Sequence, residues 1–140
     1  MPKRTITTPS VLTSTRPFSN AVRAGNGIYV AGQLPVDREG NTIGAGDVGA
    51  QTRQVLTNIR ALVEAAGGTL QDVVKTTVYL TDMTNHGPMN EVYREFFPSE
   101  FPARTTVEVS ALAPAMKGEG RPFLVEIDAV AIVADRKGDE

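Results

Sequence analysis

The chain has 140 residues, a net charge of −2 and a pI near 5.4, with 41% hydrophobic and 21% charged residues. This balance suits one soluble domain with its own core, and we treat residues 1–140 as that domain. An acidic chain disfavours nucleic-acid binding, which needs a basic surface. The lack of cysteine excludes disulfides, thiolate metal sites and a cysteine nucleophile. With no secretory h-region and no apolar run near about 20 residues, we expect a cytoplasmic protein outside the membrane.

The N-terminal half is predicted to form a hairpin and a long helix. Short strands over 21–24 and 28–31 flank a Gly-Asn-Gly loop, which is typical of a β-hairpin. The segment Gly32-Gln33-Leu34-Pro35 is expected to end the second strand. Apolar residues spaced three and four apart predict a helix over 47–66. Five polar residues are expected mostly on its solvent-exposed side: Gln51, Arg53, Gln54, Asn58 and Arg60.

The C-terminal half is predicted to form a strand, a helix and two more strands. The β-branched run over 73–80 indicates a strand, and an apolar side over 85–97 indicates a second helix. Alternating residues predict closing strands over 104–112 and 123–133, joined by a mobile loop over 113–122.

The order β-β-α-β-α-β-β predicts an α+β fold with one mixed sheet and both helices on one face. The other sheet face still carries Val, Ile, Thr and Tyr, and no helix remains to cover it. We therefore expect a homo-oligomer of closed symmetry. The fully polar tail over 135–140 is expected to fray.

Several kinds of catalytic site lack the residues they need. His86 is the chain's single histidine, so it has no partner for a metal site, and no Gly-x-Ser-x-Gly elbow accompanies it. Gly25-Asn26-Gly27 lacks the third glycine and the helix of a dinucleotide site, and no phosphate-binding P-loop is present. We expect no metal and no cofactor.

Arginine and carboxylate chemistry remains. Arg104 begins a strand, and its guanidinium can bind a carboxylate through two parallel hydrogen bonds. A surface ion pair with Glu108 or Glu126 is the alternative. Glu126 lies in a largely apolar strand, where burial would raise its pKa and suit it to general acid/base work, unless it is simply solvated beside Asp128.

Six segments taken in order resemble the RidA (YjgF) family of imine and enamine deaminases, over about residues 16–134. They read RPFSNAV with IYVAGQLP, QTRQ with NI, DVVKTTVYL, NEVYREFF, FPARTTVEV and VEIDAVA. The resemblance implies a chorismate-mutase-like fold and a homotrimer whose sheets line a central barrel, with sites in the clefts between subunits. It also implies hydrolysis of small carboxylate-bearing enamines and imines to the keto acid and ammonia.

The resemblance also assigns roles to residues. Arg104 matches the arginine that clamps the substrate carboxylate, and Glu126 matches the glutamate that positions or activates water. Gly32 and Thr106 match positions whose backbone borders the ligand. Asn90 matches an asparagine of the second helix that helps to shape the pocket.

Three positions depart from the family pattern. Phe18 stands where tyrosine is common, Ala31 where serine is frequent, and Thr106 where cysteine is frequent. The loop over 113–122 is also longer than usual. These departures leave the substrate open, and a larger or more apolar imino acid is one possibility. A carboxylate-binding protein without turnover, an endoribonuclease, and a chaperone or translation regulator are the rival functions.

Overall fold

A six-stranded mixed sheet forms the frame of the protein, as seen in a computed structural model that describes residues 2–134. The strand order is β1-β2-β3-β6-β4-β5, in which β4 and β5 run parallel and the other neighbours run antiparallel. The predicted polar tail lies outside the described residues. The strands are β1 (Arg4–Ile6), β2 (Ala21–Ala24), β3 (Gly27–Gln33), β4 (Val73–Leu80), β5 (Ala103–Glu108) and β6 (Val125–Ile132).

Two helices, α1 (Val48–Ala65) and α2 (His86–Phe96), cover one face of this sheet. The Asp47 carboxylate caps α1 by accepting a hydrogen bond from the Ala50 amide at 3.1 Å. The apolar stripe of α1 packs against the inward residues of the strands, and its central members are fully buried. These members are Val55, Leu56, Ile59 and Leu62. Within residues 2–134, neither helix has the length and hydropathy that crossing a membrane requires.

Among residues 2–134 no helix lies over the opposite face of the sheet, as the sequence predicted. In β6 the residues alternate, so that Ile127 and Ala129 are buried beneath the helices while Ile132 on the other face is 44% exposed. On that same face Tyr29 and Val107 are 49% and 37% exposed. We call this surface the open face, and it combines these apolar side chains with the carboxylates of β6.

Several predicted boundaries are wrong. The short strand β1 was not predicted, because three residues are too few to show an alternating pattern. Strand β3 continues through Gly32 to Gln33 and absorbs an irregularity in its pairing with β6, whereas the sequence predicted a break there. Strand β5 ends at Glu108, four residues before the predicted Leu112.

The prediction that Gln51 and Asn58 face solvent is also wrong, because both are buried in α1. The Gln51 carboxamide donates to the Pro122 carbonyl at 2.9 Å and accepts from the Leu124 amide at 2.7 Å. The Asn58 amide donates to the Val36 carbonyl at 3.0 Å. Each carboxamide satisfies backbone groups of a neighbouring loop, which removes the usual cost of burying a polar side chain.

Candidate functional site

Arg104 lies on the helix side of β5, beside α2. It pairs in register with Thr76, a fully buried residue of β4, and its guanidinium carbon is 4.8 Å from the centre of the Tyr93 ring. It forms no ion pair with any of residues 2–134, so the predicted alternative partners Glu108 and Glu126 do not neutralise it. Instead, Glu108 accepts a hydrogen bond from the Met83 amide at 2.8 Å.

The Tyr93 ring lies beneath this guanidinium and is itself held by two neighbours. Its hydroxyl is hydrogen-bonded to the Thr76 hydroxyl at 2.8 Å, and its ring centre lies 4.8 Å from that of Phe97. Burial raises the pKa of Tyr93, while the hydrogen bond to Thr76 and the charge of Arg104 act in the opposite direction. The ring is therefore neutral at physiological pH and offers its negative face to the cation.

A cleft of about 220 Å³ opens beside Arg104. Asn90, which lies three residues before Tyr93 on the same side of α2, lines this cleft. The Asn90 amide nitrogen contacts Nδ1 of His86 at 3.2 Å, and its buried Oδ1 has no hydrogen-bond partner among residues 2–134. An unsatisfied acceptor at a cleft is suited to an N–H group of a ligand. The cleft is lined by Asn90, Tyr93, Arg94, Phe101, Pro102 and Arg104.

Glu126 belongs to a second, larger pocket of about 480 Å³. It lies on the open face, opposite Tyr79 in the register of β6 with β4. Burial raises the pKa of Glu126, and the negative charge of Asp128 raises it further. The Tyr79 hydroxyl donates to Asp128 at 2.9 Å, which fixes that neighbouring carboxylate. The pocket also includes Phe18 from the N-terminal segment.

Gly32 lies directly against the Glu126 side chain. A β-carbon built at position 32 would stand 2.8 Å from Cδ of Glu126. The absence of a side chain in this irregular part of β3 therefore allows the carboxyl group to lie against the strand backbone. Gly32 also borders a shallow depression with Ala31, Tyr29 and Asp128.

The predicted site residues thus fall into two groups on opposite sides of the sheet. Arg104 pairs with Thr76 and Glu126 pairs with Tyr79, and residues three apart in a strand point to opposite faces. We call the first group the arginine half-site, with Asn90, Arg104 and, two residues along the same face of β5, Thr106. We call the second the glutamate half-site, which comprises Phe18, Ala31, Gly32 and Glu126. Within one chain the two predicted catalytic residues do not meet.

Some lining residues were missed by sequence reasoning. Arg94, Phe101 and Pro102 line the arginine half-site, and the Phe-Pro pair just before Arg104 is the signal that could have identified them. The segment 11–15 lines the glutamate half-site, but it has no periodicity that could have identified it. Among residues 2–134 no group of three His, Cys, Asp or Glu side chains could hold a metal ion.

Comparison with known proteins gives a consistent result. The family model described as endoribonuclease L-PSP matches residues 8–133. A RutC family protein of Pyrococcus horikoshii is 50% identical over 115 residues, which cover 82% of this chain and 86% of that protein.

Solved structures agree in fold. YyfA of Yersinia pestis, a protein of unknown function of the conserved Rid family, has a TM-score of 0.85 and 37% identity, covering 94% of this chain and 100% of its own. E. coli TdcF, crystallised with bound serine, has a TM-score of 0.84 and 32% identity, covering 94% and 99%. The chain therefore belongs to the endoribonuclease L-PSP family, also known as the Rid or YjgF family.

Proposed function

We propose that this protein hydrolyses reactive 2-imino and 2-enamino acids to 2-keto acids and ammonia. The observation that carries the proposal is the Arg104 guanidinium, held on the Tyr93 ring beside a small cleft and without a counter-ion among residues 2–134. Stacking occupies the flat face of a guanidinium and leaves its in-plane N–H donors available. Such a group is prepared to bind a carboxylate.

The active site in this proposal is shared between two copies of the chain. Arg104 and Glu126 lie on opposite sides of one sheet, so a single copy cannot apply both to one substrate. The open face exposes Tyr29, Val107 and Ile132, and such apolar surface favours association with further copies. A homotrimer with closed symmetry would cover the open faces and bring the arginine half-site of one copy to the glutamate half-site of its neighbour.

Binding of a small carboxylate is supported by a relative. The crystal structure of E. coli TdcF contains bound serine, a small amino acid that carries a carboxylate. In this chain Arg104 would take the carboxylate through two parallel hydrogen bonds. Asn90 would accept a hydrogen bond from the substrate nitrogen through its unpartnered Oδ1.

Glu126 supplies the base in this mechanism. With the imine nitrogen protonated, the ionised carboxylate removes a proton from a water molecule as the water oxygen attacks the imine carbon, which gives a carbinolamine. Glu126 then returns this proton to the nitrogen and takes the hydroxyl proton as the C–N bond breaks, so that the carbonyl forms and ammonia leaves. Glu126 finally releases the last proton to solvent. Because imines also hydrolyse spontaneously, positioning together with general acid/base help of about 10²–10⁴-fold is enough for a useful enzyme.

The proposal is tested by generating 2-iminopropionate from alanine with an amino-acid oxidase and measuring keto-acid formation above the spontaneous rate. We expect wild-type protein to accelerate hydrolysis and Arg104→Ala to lose about 100-fold or more in kcat/KM, because a charge-assisted bidentate contact is removed. Arg53→Ala is the matched control, since Arg53 forms an exposed ion pair with Glu95 at 3.0 Å. Full activity in Arg104→Ala would overturn the proposal.

A carboxylate-binding protein without turnover is the second candidate, and the bound serine of TdcF favours it equally. Both functions predict that small carboxylates raise the melting temperature through binding to the folded state. Only the deaminase predicts faster loss of the imine. Thermal shifts that depend on Arg104, without any acceleration of hydrolysis, would establish the binding function instead.

A further inference from the structure

Arg94 is a second arginine at the cleft that contains Arg104. It lies on α2, and its guanidinium carbon is 5.4 Å from the centre of the Phe101 ring. Like Arg104, it forms no ion pair with any of residues 2–134. The six described residues that line the cleft therefore include two guanidinium groups and no carboxylate.

The two arginines are held in the same way. Each lies over an aromatic ring, Arg104 on Tyr93 and Arg94 on Phe101. The rings attract the cations through their faces and so orient them, but leave the in-plane donors unused. Two like charges beside one small cleft repel each other, and an anion carrying two negative charges would neutralise both.

We infer that Arg94 recognises a second carboxylate, so that the preferred substrates are 2-imino dicarboxylic acids of four or five carbons. The inference rests on the proposed deaminase function and names its substrate class. Arg104 binds the carboxylate next to the imine carbon, and Arg94 binds the one at the far end. The cleft of about 220 Å³ is smaller than the roughly 300–1,000 Å³ of sites for drug-sized ligands, as a short substrate requires. This acidic substrate differs from the larger or more apolar imino acid that was one possibility raised by the departures at Phe18, Ala31 and Thr106.

The test compares 2-iminosuccinate with 2-iminobutanoate, each generated in the assay by an amino-acid oxidase. The two have the same number of carbons and differ in the distal carboxylate. We expect the wild type to prefer 2-iminosuccinate, and Arg94→Gln to lower the ratio of the two kcat/KM values by about tenfold to a hundredfold, as loss of a charge-assisted hydrogen bond requires. Arg60→Gln is the matched control and should leave the ratio unchanged, because Arg60 is an exposed arginine stacked 5.3 Å from the Phe96 ring centre, away from the cleft.

A binding measurement separates this inference from the proposed function. Succinate should raise the melting temperature more than butanoate does, and Arg94→Gln should remove that difference. If both imines are hydrolysed but Arg94→Gln changes neither the kinetic ratio nor the succinate shift, the inference is overturned and the deaminase function stands. If neither imine is hydrolysed faster than in buffer, the deaminase function fails, and the succinate shift alone decides whether Arg94 recognises a second carboxylate.

Discussion

Glu126 lies so close over Gly32 that a β-carbon at position 32 would stand 2.8 Å from Cδ and 3.1 Å from Cγ of the glutamate. The two residues lie on neighbouring strands, β3 and β6, where the pairing is irregular between Val30 and Gln33. The glycine and the irregular pairing of β3 with β6 together allow the Glu126 carboxyl group to lie against the backbone of β3. The position of the proposed base thus depends on a residue that has no side chain.

Gly32→Ala should therefore move the Glu126 carboxylate. We expect kcat for imine hydrolysis to fall at least about tenfold, because general acid/base catalysis needs the base within hydrogen-bond reach of the water. The comparison is Gly87→Ala, since a β-carbon at Gly87 meets nothing within 4 Å and alanine favours the helix. Wild-type kcat in Gly32→Ala would show that Glu126 does not need its present position.

The pH dependence of activity should report on Glu126. Burial and the charge of Asp128 both raise the pKa of Glu126 above its usual value of 4.5. Since the base must be ionised, kcat/KM rises as pH increases through this raised pKa. Asp128→Asn removes the negative charge that raises the pKa of Glu126, so the acid limb of the profile should move to lower pH. The new amide oxygen can still accept the hydrogen bond from the Tyr79 hydroxyl. An acid limb that stays in place would remove Glu126 from the role of base.

The same raised pKa makes a prediction about stability. A carboxyl group whose pKa is higher in the folded state contributes stability below its ordinary pKa and loses that contribution as pH rises through the folded value. At neutral pH, where Glu126 is ionised, its burial therefore lowers the free energy of unfolding. Glu126→Gln should melt at a higher temperature than wild type near pH 7; the difference should shrink as pH falls through the raised pKa of Glu126 and should be lost below its usual value of about 4.5. Melting curves of the two proteins across this range provide the measurement.

The fold and much of the arginine half-site could be predicted from the sequence, because they depend on local patterns. Helix α2 and strand β4 follow their apolar spacing, and Arg104 follows a Phe-Pro pair in a family motif. The separation of Arg104 from Glu126 could not be predicted. It depends on strand order and register, which set each residue on its face and which no short segment encodes.

The buried carboxamides show a second limit of sequence reasoning. Gln51 is polar and occupies a helix, so its residue type favours solvent, yet its partners Pro122 and Leu124 are more than 70 residues away along the chain. In the sequence, a polar residue that is buried and hydrogen-bonded cannot be distinguished from a polar residue at the surface. Tertiary contacts decide between them.

Gln51→Leu should accordingly destabilise the fold. The substitution leaves the Leu124 amide and the Pro122 carbonyl without their partner, and we expect a loss of at least about 2 kcal/mol in the free energy of unfolding. Chemical denaturation measures this loss. Glu64→Ala, an exposed change on the same helix, is the control and should stay within about 0.5 kcal/mol of wild type. A Gln51→Leu protein as stable as that control would contradict the assigned role of Gln51.

The central claim is that Arg104 and Glu126 act on one substrate from different copies of the chain. Co-expressing Arg104→Ala with Glu126→Gln, each carrying a different affinity tag, yields mixed assemblies in which some interfaces contain both native residues. We first expect a particle of three times 14.9 kDa. If protomers of a trimer mix at random, we predict that two inactive variants together recover about a quarter of the wild-type rate. Mixed trimers as inactive as either parent would contradict the claim that the two residues act on one substrate from neighbouring copies.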